Sequence, residues 1–272
     1  MSASLRKMLK SHDRASTKSD LLVSQPYEQY LASHPNILID ETVAEFVKKE
    51  LTTPQRNRRM TFSASARGAC AREQVFQFTP VTPVPKTNAS LYAIFHHGTF
   101  MHLKWQALLS DAGILDELEI SCTWQAYRLS GTIDGAGEIP ASHPLRENFD
   151  RFGWELKSIN SNGFRWVIDR GPSSTHLLQI HAYMLATGWR VWSLCYENKD
   201  TQEWKEFVVH FDEKIAEDVE NELIYLNEHV DDKQLPPVLD ECKKRQGAFK
   251  KCAFAHVCLE TETWPERRIK LG

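Results

Sequence analysis

Residues 152–159 read FGWELKSI, and this stretch points to the fold class of the chain. Apolar and polar side chains alternate along it, which is the period-2 pattern of a β-strand. Trp154 and Leu156 therefore face one side of the strand, and Glu155 and Lys157 face the other. The alternation aims an acid and a base together into one pocket.

The segments on either side of this strand predict a mixed α/β core with one central sheet. Alternating patterns and helical spacings follow one another along the chain. In order they are a helix (90–112), three strands (117–126, 127–139 and 152–159), a helix (175–188), two strands (189–198 and 203–211) and a helix (212–230). We expect Gly98 to interrupt the first helix and Gly188 to end the second as its C-cap.

Changes in composition divide the chain into three regions. They are an N-terminal helical extension (1–60), a core (61–234) and a Cys- and Lys-rich C-terminal module (235–272) that we expect to pack back on the core. Within the extension, residues 36–51 have the apolar spacing of one amphipathic helix, and Asp40 lies close to its expected start.

The composition is that of a folded protein without a strong net charge. The chain has 272 residues, of which 42% are hydrophobic, and its 33 basic and 36 acidic side chains give a formal net charge of −3. This length and composition exclude a disordered chain and a disulfide-stapled miniprotein. The net charge gives no overall positive field of the kind that attracts nucleic acid. No apolar run approaches the roughly 20 residues that cross a bilayer, and residues 1–16 lack the apolar core of a secretory signal. We expect a cytoplasmic protein that does not interact with membranes.

Two carboxylates on neighbouring strands form the centre of the expected site. Asp134 lies in SGTIDG (130–135), where the flanking glycines let backbone approach a ligand closely, and Glu155 lies on the next strand. Paired carboxylate oxygens are the hard ligands that Mg²⁺ or Mn²⁺ prefers. Such a cation polarises a phosphodiester and lowers the pKa of a bound water, while Lys157 orients that water or offsets transition-state charge. The pattern indicates phosphodiester hydrolysis.

Two helices contribute further candidates. His102 ends the segment GTFMH, one turn past Gly98, where its imidazole can reach a metal ion. Gln179 and Tyr183 are four residues apart in QIHAY and share a helix face, where they can hold Lys157 or a DNA phosphate. Each of these residues, taken singly, also fits an ordinary structural role.

The motifs GTFMH, GTIDG, WELKS and QIHAY, in this order, resemble the PD-(D/E)xK nuclease superfamily. Within it they resemble the RecB-like branch, with its pattern GxxxH, GxxD, ExK and QxxxY, which includes CRISPR-associated exonucleases and small stand-alone phage exonucleases. The match spans residues 62–260. The resemblance implies a restriction-endonuclease-like core, in which helices flank a central mixed sheet.

The same resemblance implies a metal-dependent DNA exonuclease that acts in DNA recombination, repair or replication and leaves 5′-phosphate and 3′-hydroxyl ends. If the source is a phage, the enzyme would act in the cytoplasm of the bacterial host. The implied catalytic residues are Lys157, Glu155, Asp134, Gln179 and Tyr183, and the implied metal ligands are His102, Asp134, Glu155 and the backbone carbonyl of Leu156. Two other functions stay open: a structure-specific endonuclease that cuts flaps or overhangs, and a DNA-binding scaffold without catalysis.

Four of the six cysteines are distributed unevenly, with Cys70 early in the core and Cys242, Cys252 and Cys258 near the C terminus. This distribution resembles the iron–sulfur subset of RecB-like nucleases, in which four thiolates hold a 4Fe–4S cluster. The nine residues between Cys242 and Cys252 depart from the family, where these two cysteines are close. Two alternatives stay open: tetrahedral zinc held by Cys242, Cys252, His256 and Cys258, and reduced thiols without a metal.

The remaining two cysteines, Cys122 and Cys195, lie in predicted strands, and we expect them in the core. Cys70 and Arg72 are predicted to lie within one helix that Ser63 or Ser65 opens.

Basic residues near the C terminus predict a local DNA-binding surface. The segment KKRQGAFKK (243–251) holds five basic residues in nine, and ERRIK (266–270) follows. Cationic side chains of this kind hold DNA phosphates, and bases of a single strand could stack on Trp166. The predicted DNA contacts are Arg72, Lys243, Lys244, Arg245, Lys250 and Lys251. The expected partners are linear or single-stranded DNA ends and a recombination or replication protein.

Overall fold

The structure is a computed structural model that describes residues 20–36, 38–53 and 60–266. Within these ranges the chain forms a six-stranded mixed sheet with helices on both faces. The predicted α/β class with a central mixed sheet is therefore confirmed. Residues 1–16 and most of the ERRIK segment lie outside the described residues.

The sheet has the strand order β1-β3-β4-β5-β6, and β2 pairs with the other edge of β3. The strands are β1 (Phe62–Ser63), β2 (Glu117–Trp124), β3 (Leu129–Glu138), β4 (Arg151–Ile159), β5 (Val191–Asn198) and β6 (Trp204–His210). The pairs β1–β3 and β4–β5 are parallel, and the pairs β2–β3, β3–β4 and β5–β6 are antiparallel. A helical crossover joins β4 to β5, as a parallel pair requires.

The helices follow the predicted order, with additions. They are α1 (Ser24–Ser33), α2 (Glu41–Thr52), α3 (Ala71–Phe76), α4 (Ala89–Asp111), α5 (Ser161–Arg170), α6 (Ser174–Thr187), α7 (Glu213–Asp231), α8 (Asp240–Lys243) and α9 (Ala255–Cys258). Asp40 caps α2 by accepting from the backbone N–H of Thr42, and Gly188 ends α6 with a φ of +78°. Both ends match the positions that the sequence predicts.

Two predictions about helices are wrong. The helix α4 runs through Gly98 without interruption, because a single glycine costs only about 1 kcal/mol against the hydrogen bonds of a 23-residue helix. Ser63 and Ser65 do not open a helix that contains Cys70, since α3 begins at Ala71 and Cys70 occupies its N-cap position.

Two apolar layers cover the sheet. On one face α6 and α7 pack against it through a cluster that includes Ile180 and Val219. On the other face α4 and the N-terminal segment pack through a cluster that includes Trp105 and Leu22. Leu22, Val23 and Tyr27 of the N-terminal extension are thereby part of the core, whereas most side chains of α2 are exposed.

The strand β4 divides its side chains between these layers as its sequence predicts. Trp154 and Leu156 are fully buried on the α4 side. Glu155 and Lys157 lie on the α6 side, where both contact Gln179. This division delivers the acid and the base to the candidate site.

The C-terminal residues pack against the segment that follows α3. Phe254 stacks on Phe76 with ring centroids 5.2 Å apart, and Cys252 and Cys258 lie in the same apolar cluster. The backbone N–H of Val84 donates to a carbonyl of the same module. In the described part of the chain, no helix is both long enough and apolar enough to span a membrane.

Candidate functional site

The candidate site lies in a fork of the sheet. One edge of β3 pairs with β1 at Leu129 and Ser130, and with β4 from Gly135 onward. Between these points the β3 edge has no strand partner among the described residues. Tyr183 of α6 enters the fork and donates its hydroxyl to the carbonyl of Thr132 at 2.8 Å. A methyl group on Gly131 would lie 2.7 Å from the Tyr183 ring, so glycine is needed there for this approach.

Asp134 lies at the end of the fork and connects two of the predicted motifs. Its Oδ2 accepts from the backbone N–H of Leu156 at 2.9 Å and lies 3.2 Å from Nδ1 of His102. The helix α4 therefore brings His102 to Asp134, as the sequence predicts. The Asp134 carboxylate is tied to β4 next to Glu155.

Glu155, Lys157, Gln179 and Tyr183 form one hydrogen-bonded network. Lys157 Nζ donates to Glu155 Oε1 at 2.6 Å and to Gln179 Oε1 at 2.9 Å. Gln179 Nε2 donates to Glu155 Oε1 at 2.8 Å and to the Tyr183 hydroxyl at 3.4 Å. Gln179 thus contacts the lysine directly, as predicted, and Tyr183 on the same helix face contacts Gln179 and not the lysine.

The electrostatics of the site are dominated by burial of like charges. Burial and the nearby charge of Asp134 raise the pKa of Glu155 to about 7, and the Lys157 ammonium opposes this shift. Burial tends to raise the pKa of Asp134 as well, but the charges of His102 and Lys157 hold it below its usual range. When two carboxylates lie near each other away from bulk water, their repulsion makes it unfavourable for both to be ionised.

The two bases respond to the same carboxylates. Burial tends to lower the pKa of His102, but Asp134 and Glu155 raise it above its ordinary value. Burial likewise opposes the charge of Lys157, and the same two carboxylates raise its pKa. Both bases are therefore stabilised in their charged forms by the acidic pair.

One atom of the network lacks a partner. Glu155 is only 2% exposed, and its Oε2 receives no hydrogen bond from any residue that the structure describes. A buried carboxylate oxygen without a donor is costly unless a ligand completes it. In the part of the chain that the structure describes, no group of three or more His, Cys, Asp or Glu side chains is arranged to hold a metal ion.

A third carboxylate, Glu119, lies at the site and was missed from the sequence. The β2–β3 register passes from Leu118–Gly135 to Ile120–Ile133, so Glu119 lies opposite Asp134. Gln106 donates one amide nitrogen to Glu119 Oε1 at 2.7 Å and to the Asp134 carbonyl at 2.8 Å. Glu119 has a φ of +50°, which is the left-handed region.

Cys258 lies near enough to Cys70, Cys242 and Cys252 to affect the pKa of each, but the described cysteines are not arranged to hold a metal ion. Burial raises the pKa of Cys70 and Cys242, and charge on Cys258 adds to both shifts. Burial raises the pKa of Cys252 to about 12, again with a contribution from Cys258. Nδ1 of His256, a ligand in the zinc alternative, is buried without a hydrogen-bond partner. Cys122 and Cys195 are core residues, as predicted.

The predicted DNA contacts divide into two groups. The side chains of Lys243, Lys244, Arg245, Lys250 and Lys251 are exposed. Arg72 is buried, and its guanidinium donates to the carbonyls of Pro236, Cys258 and Thr261. The prediction that Arg72 contacts DNA is wrong, because its donors join α3 to the C-terminal residues. Trp166 is 41% exposed.

No protein family and no curated protein matches this sequence. Among solved structures, the protein SSO0001 is 17% identical and has a TM-score of 0.44, with 81% of this chain and 95% of that chain covered. An alkaline exonuclease from Laribacter hongkongensis, LHK-Exo, has a TM-score of 0.41 at 12% identity, with 64% of this chain and 90% of that chain covered. Its complex with dAMP has a TM-score of 0.46 at 16% identity, with 63% and 88% covered. The sequence identities and the TM-scores of these three structures are all low.

Proposed function

We propose that this protein is a metal-dependent DNA nuclease of the PD-(D/E)xK, RecB-like class that degrades DNA from its ends. One observation carries the proposal. His102, Asp134, Glu155 and Lys157 converge in the fork of the sheet, and a buried Glu155 oxygen there has no protein partner. Most buried polar atoms in folded proteins are hydrogen-bonded, so this oxygen is available to a ligand.

The donor set suits a hard divalent cation such as Mg²⁺ or Mn²⁺. His102, Asp134, Glu155 and the carbonyl of Leu156 would hold it, and the unpartnered Glu155 oxygen is free for this purpose. When bound, the cation would supply polarisation of the phosphodiester and a lowered pKa for a water molecule. Its positive charge would also relieve the repulsion between the two carboxylates.

The residues of the chain have separate tasks in hydrolysis. Glu155 and Gln179 hold the Lys157 ammonium, whose charge offsets the negative charge that develops on the phosphoryl oxygens. Tyr183 fixes the Gln179 amide. The water oxygen bonds to phosphorus while the bond from phosphorus to O3′ breaks, which leaves a 5′-phosphate and a 3′-hydroxyl.

The cysteines support a second part of the proposal, a 4Fe–4S cluster held by Cys70, Cys242, Cys252 and Cys258. Charge on Cys70 contributes to the raised pKa of Cys242, and the apolar cluster around Phe76 and Phe254 contains Cys252 and Cys258. A cluster there would join the start of the core to its end. The alternative is a tetrahedral zinc ion held by Cys242, Cys252, His256 and Cys258.

The exposed basic side chains of residues 243–251 would hold DNA phosphates beside the nuclease core. Their expected substrate is a linear or single-stranded DNA end. Recombination, repair or replication is the proposed process, with a protein partner from the same process.

The test of polarity and mode uses linear DNA labelled separately at the 5′ and 3′ ends, together with a closed circle. With Mg²⁺ or Mn²⁺ we expect stepwise loss of label from one end and an intact circle. Efficient cutting of the circle would favour the structure-specific endonuclease. DNA binding without any cleavage, under either metal, would favour the inactive scaffold.

A further inference from the structure

His176 lies beside the candidate site, and the proposed mechanism does not use it. It belongs to α6, three residues before Gln179, so both side chains lie on the same side of the helix. Its Nδ1 lies 2.8 Å from the hydroxyl of Tyr196. In the β4–β5 ladder, Tyr196 is the register partner of Lys157.

The hydrogen bonds of Tyr196 decide which imidazole nitrogen carries the proton. The Tyr196 hydroxyl accepts from the backbone N–H of Ser173 at 3.1 Å. Its single proton is paired only if it is donated to Nδ1 of His176, because Tyr196 is fully buried. Nδ1 is then an acceptor, and the neutral ring carries its proton on Nε2.

The second imidazole nitrogen, Nε2, makes no hydrogen bond within the described part of the chain. His176 is half-buried. Burial and the positive charge of Lys157 lower the pKa of His176 to about 4. The charge of Lys157 also disfavours a metal cation at this place, whereas an anion beside both groups is favoured.

We infer that His176 is a substrate-contacting residue whose Nε2–H donates a hydrogen bond to a DNA phosphate oxygen next to the scissile phosphate. The inference rests on the proposed nuclease function. Tyr196 and Ser173 act as positioning groups, because they fix the tautomer that presents the donor. A neutral donor binds the phosphate without adding charge beside Lys157.

Three variants separate this role from a structural one. His176→Leu removes the donor, His176→Gln retains an N–H near the position of Nε2, and Tyr196→Phe removes only the group that fixes the tautomer. Steady-state cleavage of end-labelled linear DNA gives kcat and KM for each variant. A phosphate contact made in both the ground state and the transition state changes KM and leaves kcat nearly unchanged.

We expect His176→Leu to raise KM about 10- to 100-fold, the effect of losing a hydrogen bond to a charged oxygen. His176→Gln should lie within about threefold of wild type, and Tyr196→Phe should lie between the two. Unchanged KM in His176→Leu, or a loss confined to kcat that glutamine does not rescue, overturns the inference. An inactive wild-type protein would contradict the proposed function itself.

A second measurement does not depend on activity. In ¹⁵N-histidine-labelled wild-type protein, the His176 signals are identified by their absence from His176→Gln. We expect the pattern of a neutral ring protonated on Nε2, constant from pH 6 to pH 8. A ring protonated on Nδ1, or a charged ring, overturns the inference even if His176→Leu fails to fold.

Discussion

The acidic pair Asp134 and Glu155 sets the properties of the groups around it. Both carboxylates are held by donors from the chain, yet one Glu155 oxygen stays unpartnered and the pKa of this residue is raised to about 7. Lys157 is the nearest fixed cation and contacts Glu155 directly. Burial and the charge of Asp134 therefore outweigh the stabilisation that Lys157 gives to the ionised form of Glu155.

Lys157→Met tests the role of that cation. The variant loses the charge that offsets transition-state charge, so we expect cleavage of linear DNA to fall by about 100-fold or more, measured as single-turnover rates. Lys48→Met is the matched control, since Lys48 is an exposed lysine paired with Glu45 on α2. A Lys157→Met protein that cuts as fast as the control would remove Lys157 from the mechanism.

The pKa of His102 gives a pH prediction for the metal-free protein. Asp134 raises this pKa against the effect of burial, so Asp134→Asn should lower it below the wild-type value in an NMR titration of the histidine ring. Because the folded pKa is raised, its stabilisation is present below the unfolded value near 6.5 and is lost as pH rises through the folded pKa. The stability difference between wild type and variant should therefore shrink from pH 6 to pH 8. A difference that grew with pH would contradict this assignment.

At the scale of elements, the edge strand β6 secures the start of the described chain. The buried Glu206 carboxylate accepts from the backbone N–H groups of Leu22, Val23 and Ser24, and from the Ser193 hydroxyl at 2.8 Å. The three backbone donors lie just before and at the first turn of α1, and the Ser193 hydroxyl lies on β5. One side chain thus joins the N-terminal segment to the sheet.

Glu206→Ala should lower the free energy of unfolding by about 3 kcal/mol or more, because each buried donor left without a partner costs roughly 1–3 kcal/mol. Urea denaturation measures the loss, and amide exchange should accelerate at residues 22–24. Glu203→Ala is the control, since the Glu203 side chain is exposed and accepts a hydrogen bond from the hydroxyl of the nearby Thr201. Equal stability of the two variants would show that Glu206 does not secure this segment.

The elements that carry the site were predictable because each has its own periodic pattern. The alternation along 152–159 correctly separates Glu155 and Lys157 from Trp154, and the four-residue spacing correctly unites Gln179 with Tyr183. These features depend on local geometry, which the sequence encodes directly.

Features that depend on tertiary packing were not predictable in the same way. The burial of Arg72 follows from carbonyls about 160 or more residues away in the chain, and no local pattern reveals such partners. Glu119 is an intermediate case. When residues are paired outward from the hairpin turn at 125–128, Glu119 lies opposite Asp134. The strand register inferred from the sequence would therefore have identified Glu119.

At the scale of the whole molecule, the start of the core contacts its C-terminal end. Arg72 and Phe76 from α3 already contact the C-terminal residues through hydrogen bonds and stacking. A cluster held by the four thiols would strengthen this contact, because a metal bound only by the folded chain stabilises it.

Cys252→Ser tests the proposed cluster. Anaerobically purified wild type should contain about four iron atoms per chain by elemental analysis and should absorb visible light. The variant should lack the iron and the visible absorbance, and its Tm should be lower than that of the wild type. Cys195→Ser is the control, since Cys195 is a core cysteine of β5. One zinc atom per chain would support the zinc alternative. Absence of metal from both the wild type and the Cys195→Ser control would support reduced thiols.

We propose above all that the residues in the fork of the sheet hydrolyse phosphodiester bonds. The most direct measurement is the release of acid-soluble nucleotides from linear DNA by wild type and Glu155→Gln, with Mg²⁺, with Mn²⁺ and with chelator, and with Glu203→Gln as control. We predict release by wild type and by the control that requires a divalent cation, and a loss of about 100-fold or more in Glu155→Gln. Equal release by all three proteins, or release that persists in chelator, would contradict the account.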